Sequence, residues 1–149
     1  MLYQLEYTMK YLAILFILIY SSVEAKACKC FFQPIEIEYK TRDFIVEAKI
    51  VSIKSDPSNK EFNILELKVN KNYKGKSPKY IRTEAQTYRK DEFFVTNSCG
   101  MDIQVGERWL LFGNQNGTEF TTYSCTASTK RATRIAQIIK ELRSLKKNK

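Results

Sequence analysis

No histidine occurs among the 149 residues. That one absence removes Ser-His and Cys-His nucleophile pairs, His-Glu zinc protease motifs and the zinc fingers that pair two cysteines with two histidines. Long apolar runs are missing as well: the longest, YLAILFILIY at residues 11–20, is ten residues, half the ~20 that a membrane helix needs. No repeat or low-complexity stretch interrupts the chain between Cys28 and Cys125. Carboxylates such as Asp91-Glu92 and Glu36/Glu38 occur, yet nothing beside them marks a nucleophile, so no enzyme is expected and no cofactor. The length suits one domain.

The ten-residue run follows Lys10 and precedes small residues, which is the layout of a secretory signal peptide. Met9-Lys10 makes the better beginning and stands as an alternative start. Cleavage after Ala25 would leave Lys26 first; cleavage after Ala27 would leave Cys28 first, and we expect a signal over residues 1–27. A third route would lipidate Cys28 itself, although Ala25 and Lys26 stand where that box wants Leu and a small residue. The mature chain, residues 28–149, is then a secreted or surface-attached monomer with no transmembrane segment.

What is present in excess is positive charge. Lys and Arg number 25 against 16 Asp and Glu, a net +9, which makes acidic surfaces candidate partners. Residues 130–149 carry eight of those bases and only Glu141 as an acid. In the same stretch Ala132, Ile135, Ile138, Ile139, Leu142 and Leu145 fall at helical spacing, with Ser128 or Thr129 as N-cap. An amphipathic helix should pack its apolar stripe and leave Lys140, Arg143, Lys146 and Lys147 outside. Export makes a sulfated glycan a better fit than nucleic acid.

Upstream the chain is β-rich. Residues 44–53 alternate with Phe44, Val46, Ala48 and Ile50 on one face, and residues 62–69 alternate Leu65, Leu67 and Val69 against Glu66 and Lys68. Shorter strands are read at 80–84, 109–112 and 119–123, with a hairpin turn at Asn114-Gln115-Asn116-Gly117. Five short strands with turn signals between them predict a mainly β fold, a small closed barrel. Asn116-Gly117-Thr118 is an N-glycosylation sequon on that turn.

The four cysteines, Cys28, Cys30, Cys99 and Cys125, all follow the signal, where disulfides persist. A Cys28–Cys30 bridge would close too tight a ring. Either remaining pairing staples the start of the mature chain to two distant points. A zinc site made of all four cysteines is the competing reading, but the second pair lacks the usual spacing of two to four intervening residues.

These pieces together resemble the netrin-like domain and, within it, the inhibitory domain of the tissue inhibitors of metalloproteinases. The resemblance rests on Cys28-Lys29-Cys30 after the signal, on Asp43-Phe44-Ile45-Val46-Glu47-Ala48-Lys49-Ile50-Val51 as first strand, and on Glu66-Leu67-Lys68-Val69-Asn70-Lys71-Asn72-Tyr73-Lys74-Gly75. Ser98-Cys99-Gly100 and Gly106-Glu107-Arg108-Trp109-Leu110-Leu111-Phe112-Gly113 complete it. It implies an OB-like five-stranded barrel with Cys28–Cys99 and Cys30–Cys125 bridges. It further implies that the free amine and carbonyl of Cys28 chelate the zinc of a target metalloprotease, and that Lys29 enters the specificity pocket. Cys30, Phe31, Asn97 and Ser98 would flank the contact ridge. The chain departs from the family pattern in having no cysteine in segment 31–42 and none after Cys125. It also carries Lys29 where a small Thr or Ser is usual, and an unpaired cation is costly to bury in an apolar pocket.

The chemistry stands on its own terms. A terminal amine with pKa about 7.7–8.0 is partly neutral at physiological pH, and with its own carbonyl it forms a five-membered chelate that displaces the metal-bound water. The expected function is therefore inhibition of a zinc metalloendopeptidase. The alternative is a non-inhibitory module that holds sulfated glycan or another protein through the basic helix.

Overall fold

The computed structural model describes residues 30–90 and 92–147. In chain order the elements are α1 (Ile35–Thr41), β1 (Phe44–Ser55), β2 (Phe62–Lys74), β3 (Tyr80–Glu84), β4 (Thr87–Lys90), β5 (Phe93–Thr96), β6 (Arg108–Asn116), β7 (Glu119–Thr122) and α2 (Ala132–Lys147). Five strands close a barrel in the order β1-β2-β3-β7-β6, while β4 and β5 form a separate hairpin. All barrel pairs are antiparallel except β3 with β7, whose parallel pairing completes the OB-like closure.

Strand β1 reaches both neighbours because it bends. Its pairing with β2 shifts register between Ile45/Val46, Glu47/Ala48 and Ile50/Ser52, and such bulges add the coil that a small barrel requires. Phe44, Val46, Ala48 and Ile50 fill the interior with Leu65, Leu67, Ile81, Trp109 and Leu111. The alternate residues are not left to water. Ile45 of β1 and Leu110 and Phe112 of β6 form a second layer under Ile35 of α1 and Ile135, Ile138 and Leu142 of α2. Where the helices cover the sheet, both faces are apolar, which explains the unbroken runs Phe44-Ile45-Val46 and Trp109-Leu110-Leu111-Phe112.

Three local expectations shift. The hairpin turn sits at Gly117-Thr118, because Asn114 and Gln115 still pair with Thr121 and Phe120. Neither Ser128 nor Thr129 caps α2: the Ser128 hydroxyl accepts the Phe112 N–H (2.9 Å) and the Thr129 hydroxyl accepts the Arg131 N–H (3.2 Å). Helix α1 is unanticipated, since Ile35-Glu36-Ile37-Glu38 alternates like a strand. It is held by Lys40 to Glu36 (2.7 Å) and Arg42 to Glu38 (2.7 Å), both i,i+4 pairs.

Gly113 marks a close approach where the barrel shuts. A Cβ there would lie 2.2 Å from the Thr121 carbonyl oxygen and 2.4 Å from the Phe44 ring. Gly113→Val should therefore destabilise the barrel by about 3 kcal/mol or more, since overpacked cores commonly lose 1–3. Thermal denaturation followed by circular dichroism measures this; an unchanged midpoint would mean the strands slide apart freely here.

Candidate functional site

Two tight turns and one bridge build the end of the barrel where the described chain begins. After β7 the chain turns at Tyr123-Ser124-Cys125-Thr126, closed by the Thr126 N–H (3.2 Å) and hydroxyl (2.9 Å), both donating to the Tyr123 carbonyl. Cys30 is bridged to Cys125 across 95 residues, with their Cα atoms 4.9 Å apart. The chain's first described residue is thus pinned to a rigid turn.

The second turn holds Asn97, Ser98, Cys99 and Gly100. The Asn97 side-chain oxygen accepts the Cys99 N–H (2.9 Å), and the Gly100 N–H donates to the Asn97 carbonyl (3.0 Å). The Asn97 N–H in turn donates to the Gln86 carbonyl (2.7 Å) at the base of the β4–β5 hairpin. Only glycine fits at position 100, where a Cβ would approach the Gln86 backbone to 2.3 Å. Cys99 is disulfide-bonded as well. Its expected partner Cys28, and Lys29 with it, lie outside the described residues.

One hydrogen bond ties the two turns together: the Ser124 hydroxyl donates to the Cys99 carbonyl at 2.6 Å. Cys30 and the Asn97-Ser98 pair, far apart in sequence, therefore share one end of the barrel. Asn97 is half-buried and Ser98 exposed. Phe31 and Phe32 follow the bridge and are 85% and 73% exposed. Two adjacent phenyl rings standing in water are an unusual cost for a small domain, and they make a ridge that a partner can cover. Phe32 and Gln33 also wall a cleft of about 590 Å3 whose far side carries Arg131 and Arg134. Sequence reasoning missed Phe32 and Ser124. Their only signals were adjacency to a candidate ridge residue and to a cysteine. Among the described residues no group of three or more Cys, Asp or Glu is placed to hold a metal ion.

The basic segment divides into paired and unpaired charges. Lys130 is paired: its ammonium meets Glu107 (2.9 Å) and Asp102 (3.0 Å). These contacts raise the Lys130 pKa. Glu107 is pushed up by burial but pulled down more strongly by its hydrogen bonds from Lys130, Trp109 and the Gln104 N–H, and so ends below the usual range. Lys140, Arg143 and Lys146 are exposed on α2, with no acidic partner among the described residues; Lys147 ends the helix.

The Arg143 charge is felt at Tyr73 of β2. The Tyr73 hydroxyl donates to Glu47 (3.1 Å), which also binds Arg108. Burial, then the Glu47 charge, push the Tyr73 hydroxyl from 10.0 up to about 12, against opposing pulls from Arg143 and Arg108. Below pH 10 the hydroxyl keeps its proton whether the chain is folded or not. Between about 10 and 12 only the unfolded chain ionises, so stability should fall as pH rises through that window. Tyr73→Phe should flatten the decline in urea titrations run at about pH 9, 10.5 and 11.5; an equally steep decline would place the titrating group elsewhere.

No protein-family model matches this chain, and no curated protein matches it.

Proposed function

We propose that this chain is an inhibitor of zinc metalloendopeptidases that acts by binding rather than as an enzyme, in the manner of the tissue inhibitors of metalloproteinases. In this reading it is exported, residues 1–27 are removed, and the amine and carbonyl of Cys28 chelate the target's zinc while a Cys28–Cys99 bridge holds that residue against the Asn97-Ser98 turn. Lys29 then points into the target's specificity pocket, where an enzyme offering a carboxylate or a polar mouth is favoured over an apolar one.

One observation carries the reading. The Cys30–Cys125 bridge, the Ser124 to Cys99 hydrogen bond and the Asn97 turn draw the start of the domain and residues 97–99 into one rigid end crowned by Phe31 and Phe32. A wedge inserted into an active-site cleft needs that pre-organisation, because rigidity lowers the entropy lost on binding. The test is inhibition of a panel of zinc endopeptidases by the protein beginning at Cys28 and by a form extended by one alanine.

A second reading, a module that holds acidic matrix without inhibiting, is supported by the exposed cations Lys140, Arg143 and Lys146 on α2. Failure of both forms across the whole panel would leave that reading in place.

A further inference from the structure

One row of side chains on the outer wall of the barrel works against the fold. The register sets Lys49 of β1 opposite Lys68 of β2 and, on its other side, opposite Arg108 of β6. Three cations thus stand abreast on three neighbouring strands, each about 4.8 Å from the next strand. Like charges directly opposite across a ladder are destabilising. On β3, by contrast, Arg82 meets Asp56 (2.7 Å) and Glu119 (3.2 Å). Lys49 and Lys68 are exposed and have no acidic partner among the described residues.

The surroundings neutralise only the Arg108 end of the row. Glu47, two residues before Lys49 on β1, pairs with Arg108 and accepts the Tyr73 hydroxyl. The next along β2, Glu66, accepts the Ser52 hydroxyl (3.1 Å) and faces Lys79 (3.7 Å). Lys71 adds a further cation beside Glu47, its ammonium 5.6 Å over the Tyr73 ring. The Arg143 charge on α2 reaches Tyr73, as does that of Arg108. On the sheet itself Arg108, Lys49, Lys68 and Lys71 lie on three adjacent strands.

We propose that the β6–β1–β2 face, continued by the C-terminal half of α2, binds a linear sulfated polysaccharide whose anionic groups lie along the Arg108-Lys49-Lys68 row. The row is open and extended, which suits a polymer with repeated charges better than a single anion. It lacks what the other polyanions need. Tyr73, half-buried beneath Lys71, gives bases no stacking platform. Val51 at 46% exposure is too small an apolar anchor for insertion into a bilayer. The basic helix is therefore one edge of the surface, and the sheet is its floor. This inference is independent of protease inhibition.

The experiment applies the folded, oxidised protein to immobilised heparin. Lys49→Gln with Lys68→Gln should weaken binding at least tenfold at about 0.15 M salt and lower the slope of log affinity against log salt by about two, one for each cation withdrawn from the polymer. The thermal midpoint should stay level or rise, because the cross-strand repulsion is relieved. Lys54→Gln with Lys76→Gln, which removes the same charge from exposed positions off the row, should change affinity by less than twofold. An equal effect from both pairs would reduce the result to net charge and overturn the proposal. So would full retention by the Lys49/Lys68 variant when Lys140→Gln with Arg143→Gln and Lys146→Gln abolishes binding. Parent protein that holds single-stranded DNA or phosphatidylserine vesicles as tightly as heparin at that salt would overturn the polysaccharide assignment.

Discussion

One alanine added ahead of Cys28 should abolish inhibition of every zinc endopeptidase that the protein otherwise inhibits, with a loss of about a thousandfold or more, equivalent to roughly 4 kcal/mol. The added residue converts the Cys28 amine into an amide nitrogen whose lone pair is delocalised into a planar peptide unit, and it displaces the five-membered chelate. Because the amine must shed its proton to bind metal, inhibition by the unextended protein should tighten from about pH 6 to pH 8, across the amine's ordinary pKa of about 7.7–8.0. Lys29→Thr separates target choice from chelation. It should leave inhibition in place and move preference toward enzymes with apolar pockets, since no unpaired cation is then buried. Extended protein that inhibits as well as the parent would show that the amine is not the ligand.

The barrel was legible because its strands carry two-residue alternation that burial then enforces. Phe44, Val46, Ala48 and Ile50 line the interior as read, and β3 runs over the residues expected, Tyr80–Glu84. What alternation could not reveal is the second apolar layer. Ile45, Leu110 and Phe112 occupy the outward phase, where a solvated sheet would carry polar groups, and only the helices packed on them explain why they are apolar. Helix α1 was hidden by the same logic in reverse: Ile35 and Glu38 are its buried residues, so a charged side chain holds an inward position through its pairing with Arg42. The β4–β5 hairpin carries no strong alternation, and Phe93 at its far end is 75% exposed. At the candidate site the cysteines were legible as anchors. Their convergence with Asn97 and Ser98 was expected through the family resemblance alone; the contact that ties it was not legible, because Ser124, which joins Cys99 to the Cys125 turn, is an ordinary serine until the fold brings residues 25 apart together. The cation row is a register property: Lys49, Lys68 and Arg108 become neighbours only once the bulges in β1 set which residues face each other.

Replacing Cys30 and Cys125 together with alanine should lower stability by about 4.7 kcal/mol, the chain-entropy value for a closed loop of this length, here a separation of 95 residues. Inhibition should suffer on a different scale of temperature. In the cold the two apolar layers still hold the barrel, and the far-ultraviolet spectrum should be that of the parent. The start of the domain, however, loses its covalent tie to the Tyr123-Ser124-Cys125-Thr126 turn. The wedge then pays an ordering cost on every encounter, and inhibition should weaken at least tenfold at about 10 °C while the fold persists. Ser124→Ala is the milder counterpart. It removes the hydrogen bond to the Cys99 carbonyl but keeps the bridge, so it should lower stability by only about 1 kcal/mol and weaken inhibition a few-fold. Should the bridge-less protein, still folded in the cold, inhibit as tightly as the parent, rigidity at this end of the barrel would not be what drives binding. The affinity would then rest on the Cys28 chelate and the exposed rings of Phe31 and Phe32 without help from that rigidity.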